Sequence, residues 1–464
     1  MRFTQVLLLL FSLIGLAHAA SLPASVKTAL RRAHIPLNSV GIEVRAIGSH
    51  KPLISVNARR PMNPASTMKL LTTYASLELL GPAYTWKTEA WLDGKLDDNG
   101  VLQGDLILKG YGDPDLTIER FWLWLSEMRN RGLREIRGDL VLDRSAFQLP
   151  PADPAEFDND PERAYNVEPD ALLLNFNALR LRYIPDGEKV SVITEPDLSN
   201  TTLVNHLVAT SQGSCSGWHD AISPQMNGNT LLLQGSYPAN CGEKEQYLSL
   251  LPHSEYLYDV FRTLWQQLGG KLDGGLRDGD VPDDATLFST HFSAPLSEQI
   301  RNINKFSNNV MARQLFLTLS LDDKPPATIA RSKQIVRDWL AHKGLYFPEL
   351  VMDNGAGLSR ASRISAQSMS LLLLAAQRSS LQPELESSLP IIGVDGTLKK
   401  RLFDNPATGH AHLKTGTLTG VKTEAGYVQD RDGKQWVVVF FINHPNAVNG
   451  QAAQDALIEW LRQR

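Results

Sequence analysis

The run Asn63-Pro64-Ala65-Ser66-Thr67-Met68-Lys69-Leu70-Leu71 decides how this chain is read. Asn63 suits a helix N-cap, Pro64 suits the first turn and Gly81 the C-terminal stop. Between these markers Leu70, Tyr74 and Leu77 recur at helical spacing and give the predicted helix a buried stripe. On such a helix Ser66 and Lys69, three residues apart, share a face at the N-terminal end. The helix dipole favours negative charge developing near Ser66. Lys69 can act as a base only when neutral, which an ordinary lysine pKa of ~10.4 forbids near pH 7. Burial and a second nearby cation both lower that value, so the pair reads as an activated serine nucleophile.

Two further motifs follow in order. Ser307-Asn308-Asn309 is an S-x-N just ahead of a predicted helix, and Lys414-Thr415-Gly416-Thr417 leads into a predicted strand pair. Ser66 to Lys69 is the one S-x-x-K of the chain, and Lys414 to Gly416 its one K-T-G. S-x-N also occurs at Ser55-Val56-Asn57, where strand alternation accounts for it. Each motif alone is weak, since a capped helix with a solvated lysine explains an isolated S-x-x-K. Together they assign roles: Lys69 activates Ser66, Lys414 is the second cation, and Ser307 relays the proton to a leaving amine. The backbone N–H groups of Ser66 and Thr417 form the expected oxyanion hole.

This ordered set resembles the class C low-molecular-weight penicillin-binding proteins, the penicillin-binding protein 4 type of D-Ala-D-Ala carboxypeptidase/endopeptidase. The resemblance runs over nearly the whole chain beyond its N-terminal segment. It includes the long gap between Ser66 and Ser307, Gly112-Asp113-Pro114, Gly138-Asp139-Leu140, Asp395-Gly396-Thr397-Leu398, and the stretch Asp353-Asn354-Gly355-Ala356-Gly357-Leu358-Ser359-Arg360. An Asn stands before the first glycine of that last stretch, where the family has none, which is expected to change a loop. The resemblance implies an α/β fold: a penicilloyl-transferase (β-lactamase-like) domain with inserted β-rich subdomains. It implies hydrolysis of D-Ala-D-Ala bonds in peptidoglycan stem peptides through an acyl-enzyme on Ser66, with β-lactams as inhibitors and no cofactor. Lys414, Thr415, Gly416 and Thr417 would hold the terminal D-Ala, its carboxylate on the lysine and the threonine hydroxyls, and Asn309 a substrate amide. An acidic residue of the insert is expected to meet the diaminopimelate amine, and Asp160 matches best by its spacing to Tyr165-Asn166.

The rest of the sequence agrees with an exported enzyme. Arg2, the apolar run 6–16 and Ala17-His18-Ala19 form a secretory signal pattern, with cleavage after Ala19 or Ala20 and a periplasmic destination. No later stretch is apolar enough to span a bilayer, so membrane association would be weak at most. Cys215 and Cys241, the only cysteines, are expected to pair in that oxidising setting. A formal charge of −4 without a basic run excludes a nucleic-acid footprint. The organisation reads as 1–19 signal, 20–81 with 285–464 as the catalytic domain, and 82–284 as one or two β-rich inserts interrupted by one helix near 118–131. Helices are expected near 24–33, 308–319, 328–343, 366–378 and 451–462, and an antiparallel pair at 426–429 and 436–442. Three other readings stay open: a serine β-lactamase or esterase on the same fold, a non-catalytic cell-wall binding protein, and a metal site at His410 and His412. No third ligand accompanies those histidines, so no metal is expected.

Overall fold

The computed structural model describes residues 21–322 and 326–464; the signal segment lies outside them. A five-stranded antiparallel sheet joins the two ends of the described chain. Its order is Ala411–Leu418, Val421–Gln429, Gln435–Asn443, Val40–Ala46 and Ile54–Val56. The central strands are apolar on both faces, as a sheet covered by two layers demands. Val437, Val439 and Phe441 face a helical layer that includes Lys69–Leu80, Asn309–Thr318 and Ala366–Gln377. Val438, Phe440 and Ile442 face the terminal helices Ala24–Arg32 and Gln451–Arg462. The antiparallel pair expected at 426–429 and 436–442 forms, with Asp430 to Gly433 joining Val421–Gln429 to Gln435–Asn443.

Residues between the first helices and Leu296–Lys305 build two further sheets. One has seven strands around the hairpin Lys87–Leu96 and Val101–Gly110; the other has six strands and spans Leu179–Asp186 to Lys244–Leu248. They share an apolar core with Phe121, Trp124 and Phe261 at its centre. Cys215 and Cys241 are bridged, with Cα atoms 5.4 Å apart.

Two expectations need correction here. The strand Thr286–Phe292 pairs with Lys87–Leu96, so the chain stays in the inserted sheet past residue 284. A second helix, His253–Gln267, interrupts the β-rich region. Its Tyr, Phe, Trp and Val content favours strands locally. Tyr256, Leu257, Val260, Phe261, Leu264 and Trp265 nevertheless fall on one helical face and are buried, so packing prevails.

The insert docks on the catalytic helices through backbone as well as side chains. Arg313 of Asn309–Thr318 is buried and donates to the carbonyls of Asn166 (3.4 Å) and Val167 (3.1 Å) and to the Glu168 carboxylate. Gln314 exchanges two hydrogen bonds with the backbone of Asp170.

The insert core is separate from the layers around the five-stranded sheet, which makes Phe121→Ala informative. The lost ring should cost about 3–5 kcal/mol and produce an early thermal transition. Penicillin labelling measured at 20 °C should persist. Simultaneous loss of both properties would show that the two cores unfold as one unit.

Candidate active site

Ser66 does not sit on the α-helix as the sequence suggests. It lies on a short 3₁₀ turn, Ala65–Met68, that leads into Lys69–Leu80. Ala65 takes φ +46°, a left-handed conformation that interrupts regular helix. Asn63 stabilises this entry instead of capping the helix: its Oδ1 accepts from the Ala65 N–H at 2.9 Å, and its Nδ2 donates to the Ser359 carbonyl at 2.8 Å. Asn443 clamps the backbone N–H and carbonyl of Asn63 from the sheet.

Two glycines permit the chain to close around Ser66. A Cβ on Gly416 would lie 2.7 Å from the Ser66 nitrogen, and one on Gly357 would lie 1.9 Å from the Ala65 carbonyl. Gly357 also has φ +78°, which disfavours any side chain. The K-T-G glycine and the last glycine of Asn354-Gly355-Ala356-Gly357 therefore answer to one steric demand, the approach of Ser66 to the edge strand.

Lys69 is wholly buried. Its Nζ lies 3.1 Å from Ser66 Oγ, 2.6 Å from Asn309 Oδ1 and 2.6 Å from the Ala356 carbonyl. Burial, then the charges of Lys414 and Arg313, hold its pKa well below the usual lysine value. A neutral amine has two hydrogens and one lone pair. Asn309 Oδ1 and the Ala356 carbonyl can only accept, so they take both hydrogens. The lone pair is left for the Ser66 O–H to donate into.

Ser307 faces this pair from the turn between Leu296–Lys305 and Asn309–Thr318, at φ +58°. The helix behind it is capped by Asn308, whose Oδ1 accepts from Met311 N–H. Lys414, also fully buried, donates to Ser307 Oγ and to the Thr415 carbonyl, each at 2.8 Å. Desolvation pushes its pKa down to about 7. The three sequence motifs thus form two sets of contacts at one cleft: Asn309, Lys69 and Ser66 in one, Ser307 and Lys414 in the other.

A cleft of about 620 Å³ opens over these groups, and Thr415, Gly416 and Thr417 line it with Ser66, Ser307 and Asn309. Its floor is the edge strand Ala411–Leu418. The segment 390–392 bonds to the outer side of that strand at Ala411 and Leu413. Beyond Leu413 the outer edge has no backbone partner among the described residues, leaving peptide groups open to an extended ligand. Asp395 fixes the neighbouring loop: it pairs with Lys305 at 2.6 Å and accepts from Ile391 N–H. That arrangement places Thr397 Oγ1 3.1 Å from Thr415 Oγ1.

Asp160 does not line this cleft; Asp158 does, with Phe157 and Tyr165. Asp160 pairs with Arg163 at 2.6 Å, whereas Asp158 accepts from Tyr165 O–H and Asn166 Nδ2, each at 2.8 Å. Spacing alone could not separate two carboxylates in one short loop, because backbone direction decides which points inward. Arg360, 4.8 Å from the Phe157 ring, completes that end. His410 and His412 bond separately, to Gln429 Oε1 and the Glu386 carbonyl. A second cavity of about 740 Å³, among prolines 150, 151, 154, 161, 169 and 252, contains none of the motif residues.

Comparison with known proteins agrees with this architecture. The chain is 26% identical over 412 residues to a D-alanyl-D-alanine carboxypeptidase, DacB, of Haemophilus influenzae, covering 88% of this chain and 85% of that one. It is 28% identical over 410 residues to a D-alanyl-D-alanine carboxypeptidase of an Actinomadura strain, covering 85% and 76%. The crystal structure of penicillin binding protein 4 from Haemophilus influenzae superposes with a TM-score of 0.78 at 24% identity, covering 94% of this chain and 99% of that one. A predatory endopeptidase of Bdellovibrio bacteriovorus shares the fold at a TM-score of 0.55 and 15% identity, covering 93% and 94%. Residues 22–464 match the D-Ala-D-Ala carboxypeptidase 3 (S13) family. The chain belongs to that family and is a serine-type D-Ala-D-Ala carboxypeptidase.

Proposed function

We propose that Ser66 is the nucleophile of this hydrolase and that Lys69 is its base. The observation that carries the assignment is the buried Lys69 amine, held by two pure acceptors with its lone pair left for Ser66. Ser66 Oγ attacks the carbonyl of the penultimate D-Ala as its proton passes to Lys69 Nζ. The oxyanion forms between the backbone N–H groups of Ser66 and Thr417. Collapse expels the terminal residue, whose amine takes a proton through Ser307 Oγ, and water then hydrolyses the ester. Asn309, with Oδ1 engaged by Lys69, keeps its Nδ2 for a substrate carbonyl.

The substrate is a peptidoglycan stem peptide lying along the open edge of Ala411–Leu418, its terminal D-Ala over Thr415, Gly416 and Thr417. Asp158 and Arg360 meet the amine and carboxylate of a diaminopimelate side chain at the far end of the cleft, the role first expected of Asp160. A leaving group larger than D-Ala fits an open edge, so cross-linked peptides are substrates as well and the enzyme is also a DD-endopeptidase. β-Lactams acylate the same serine. The signal pattern of the N-terminal sequence and the Cys215–Cys241 bridge support a periplasmic location, and the pairing of Thr286–Phe292 supports an inserted region of 82–292.

Labelling with a fluorescent penicillin tests the nucleophile. A stable adduct on the peptide containing Ser66, absent from Ser66→Ala, is expected. Intact penicillin recovered over well-folded, unlabelled protein would overturn the assignment, and rapid consumption of penicillin would favour a β-lactamase. The rate constant for acylation should rise with pH well below the ordinary lysine range and plateau, because Lys69 and Lys414 lose protons early. A rise only near pH 10 would remove Lys69 as the base.

Lys414 also makes a stability prediction. Its folded pKa of about 7 lies below the ordinary lysine value of 10.5, so between these pH values the unfolded chain binds more protons. Stability therefore rises with pH across that window, and the full cost of burying the amine is felt below it. Lys414→Met should raise the thermal midpoint at pH 6–7 by about 2–6 °C while abolishing acylation. The gain should shrink towards pH 10, and a gain independent of pH would refute the buried-charge account.

A further inference from the structure

The two catalytic lysines leave a question of charge. A leaving residue that ends in a carboxylate needs a cation, yet Lys414 is buried, its Nζ is committed to Ser307 Oγ and the Thr415 carbonyl, and burial weakens its hold on a proton. Three other cations line the cleft with Thr415 and Thr417: Arg360, Arg401 and Lys422.

Lys422 stands directly opposite Thr417 in the antiparallel register of Ala411–Leu418 and Val421–Gln429. Residues so paired project from the same face, and Glu424, opposite Thr415, projects there too. Arg401 comes up beneath them. It donates to Glu424 Oε2 at 3.0 and 3.1 Å and to Asp455 Oδ1 at 2.9 and 2.5 Å, so both carboxylates are occupied by one guanidinium. Lys422 has no ion pair or hydrogen bond of its own among the described residues, although it lines the cleft with Ser66 and Thr417. Burial and the charge of Arg401 lower its pKa, while Glu424 and Asp455 support its charged form. Arg360, unlike Lys422, is already engaged: it donates to the Thr419 carbonyl at 3.0 Å and lies against the Phe157 ring.

We infer that Lys422, next to the Arg401–Glu424–Asp455 cluster, supplies the positive charge that receives the carboxylate of the leaving residue beside the Thr415 and Thr417 hydroxyls. The inference rests on Ser66 being the nucleophile and adds a specificity determinant to that reading. Lys422 selects leaving groups with a free carboxylate next to the scissile nitrogen, which a terminal D-Ala and the D-centre of a cross-linking diamino acid both carry. Lys414 is thereby left to serve Ser307.

Two thioesters with the same acyl-D-alanyl part test this, one with thioglycolate as the leaving thiol and one with its methyl ester. The native enzyme should prefer the carboxylate-bearing leaving group in kcat/KM by roughly 10- to 100-fold, the worth of one charge-assisted hydrogen bond. Lys422→Met should erase most of that preference by slowing the thioglycolate substrate alone, and Lys422→Arg should keep it. Because the readout is a ratio on one preparation, partial unfolding cancels. A full preference retained by Lys422→Met, with both thioesters still turned over, would overturn the role of Lys422. Failure of the native enzyme to hydrolyse either thioester or to take a penicillin label would instead overturn the DD-peptidase reading.

Discussion

The site depends on one buried amine. Lys69 Nζ gathers Ser66 from its own turn, Asn309 from a helix 240 residues on and the Ala356 carbonyl from a loop 287 residues on. A neutral amine has the two hydrogens and one lone pair that those three partners call for. The demand propagates outward. Ala356 is in place because Gly357 lets its loop touch the Ala65 carbonyl, and because Thr72 Oγ1 bonds the Gly355 carbonyl at 2.6 Å. Asn309 is in place because Asn308 caps its helix and Arg313, one turn on, is anchored by the insert.

Placing a second amine, Lys414, within reach of the same cavity is a stability cost that function explains. Two ammonium groups there would repel each other in a weakly screened interior, and desolvation adds to that penalty. Both terms act in one direction, keeping the amines neutral enough to exchange protons. The fold meets the cost with layers of ordinary hydrophobic packing on both faces of the five-stranded sheet. Strain is confined to a few backbone positions, with Ala65 and Ser307 in the left-handed region beside the reacting atoms.

The motif residues that meet at the cleft were legible because local rules fix them: i to i+3 geometry joins Ser66 to Lys69, and strand alternation separates Lys414 from Thr415. The strand pair at 426–429 and 436–442 was readable for the same reason, since its pattern is local. What escaped the sequence depends on contacts far apart in the chain. Helical amphipathy in His253–Gln267 was masked by aromatic residues with strand preference, and only burial against the insert core decides it. The choice between Asp158 and Asp160 rests on Tyr165 and Asn166 holding one carboxylate and Arg163 the other. Ser66 on a 3₁₀ turn, in place of the first turn of an α-helix, follows from Asn63 being gripped by residues 359 and 443.

The cleft also divides its charges by task. Buried amines near Ser66 are free of carboxylate partners, as proton exchange requires. The carboxylates of this region are engaged elsewhere: Asp158 lies in the cleft wall, and the buried Glu424 is held with Asp455 by Arg401 on the strand face that carries Thr415 and Thr417. A carboxylate moved inward would pair with Lys69 or Lys414, raise its pKa and disable it as a base. Binding charges for a zwitterionic peptide must therefore sit at the rim, on residues whose own counter-ions are already occupied. Arg401 fills that need on one side by binding two acids at once. On the other side the neutral donors Tyr165 and Asn166 hold Asp158 in the cleft wall.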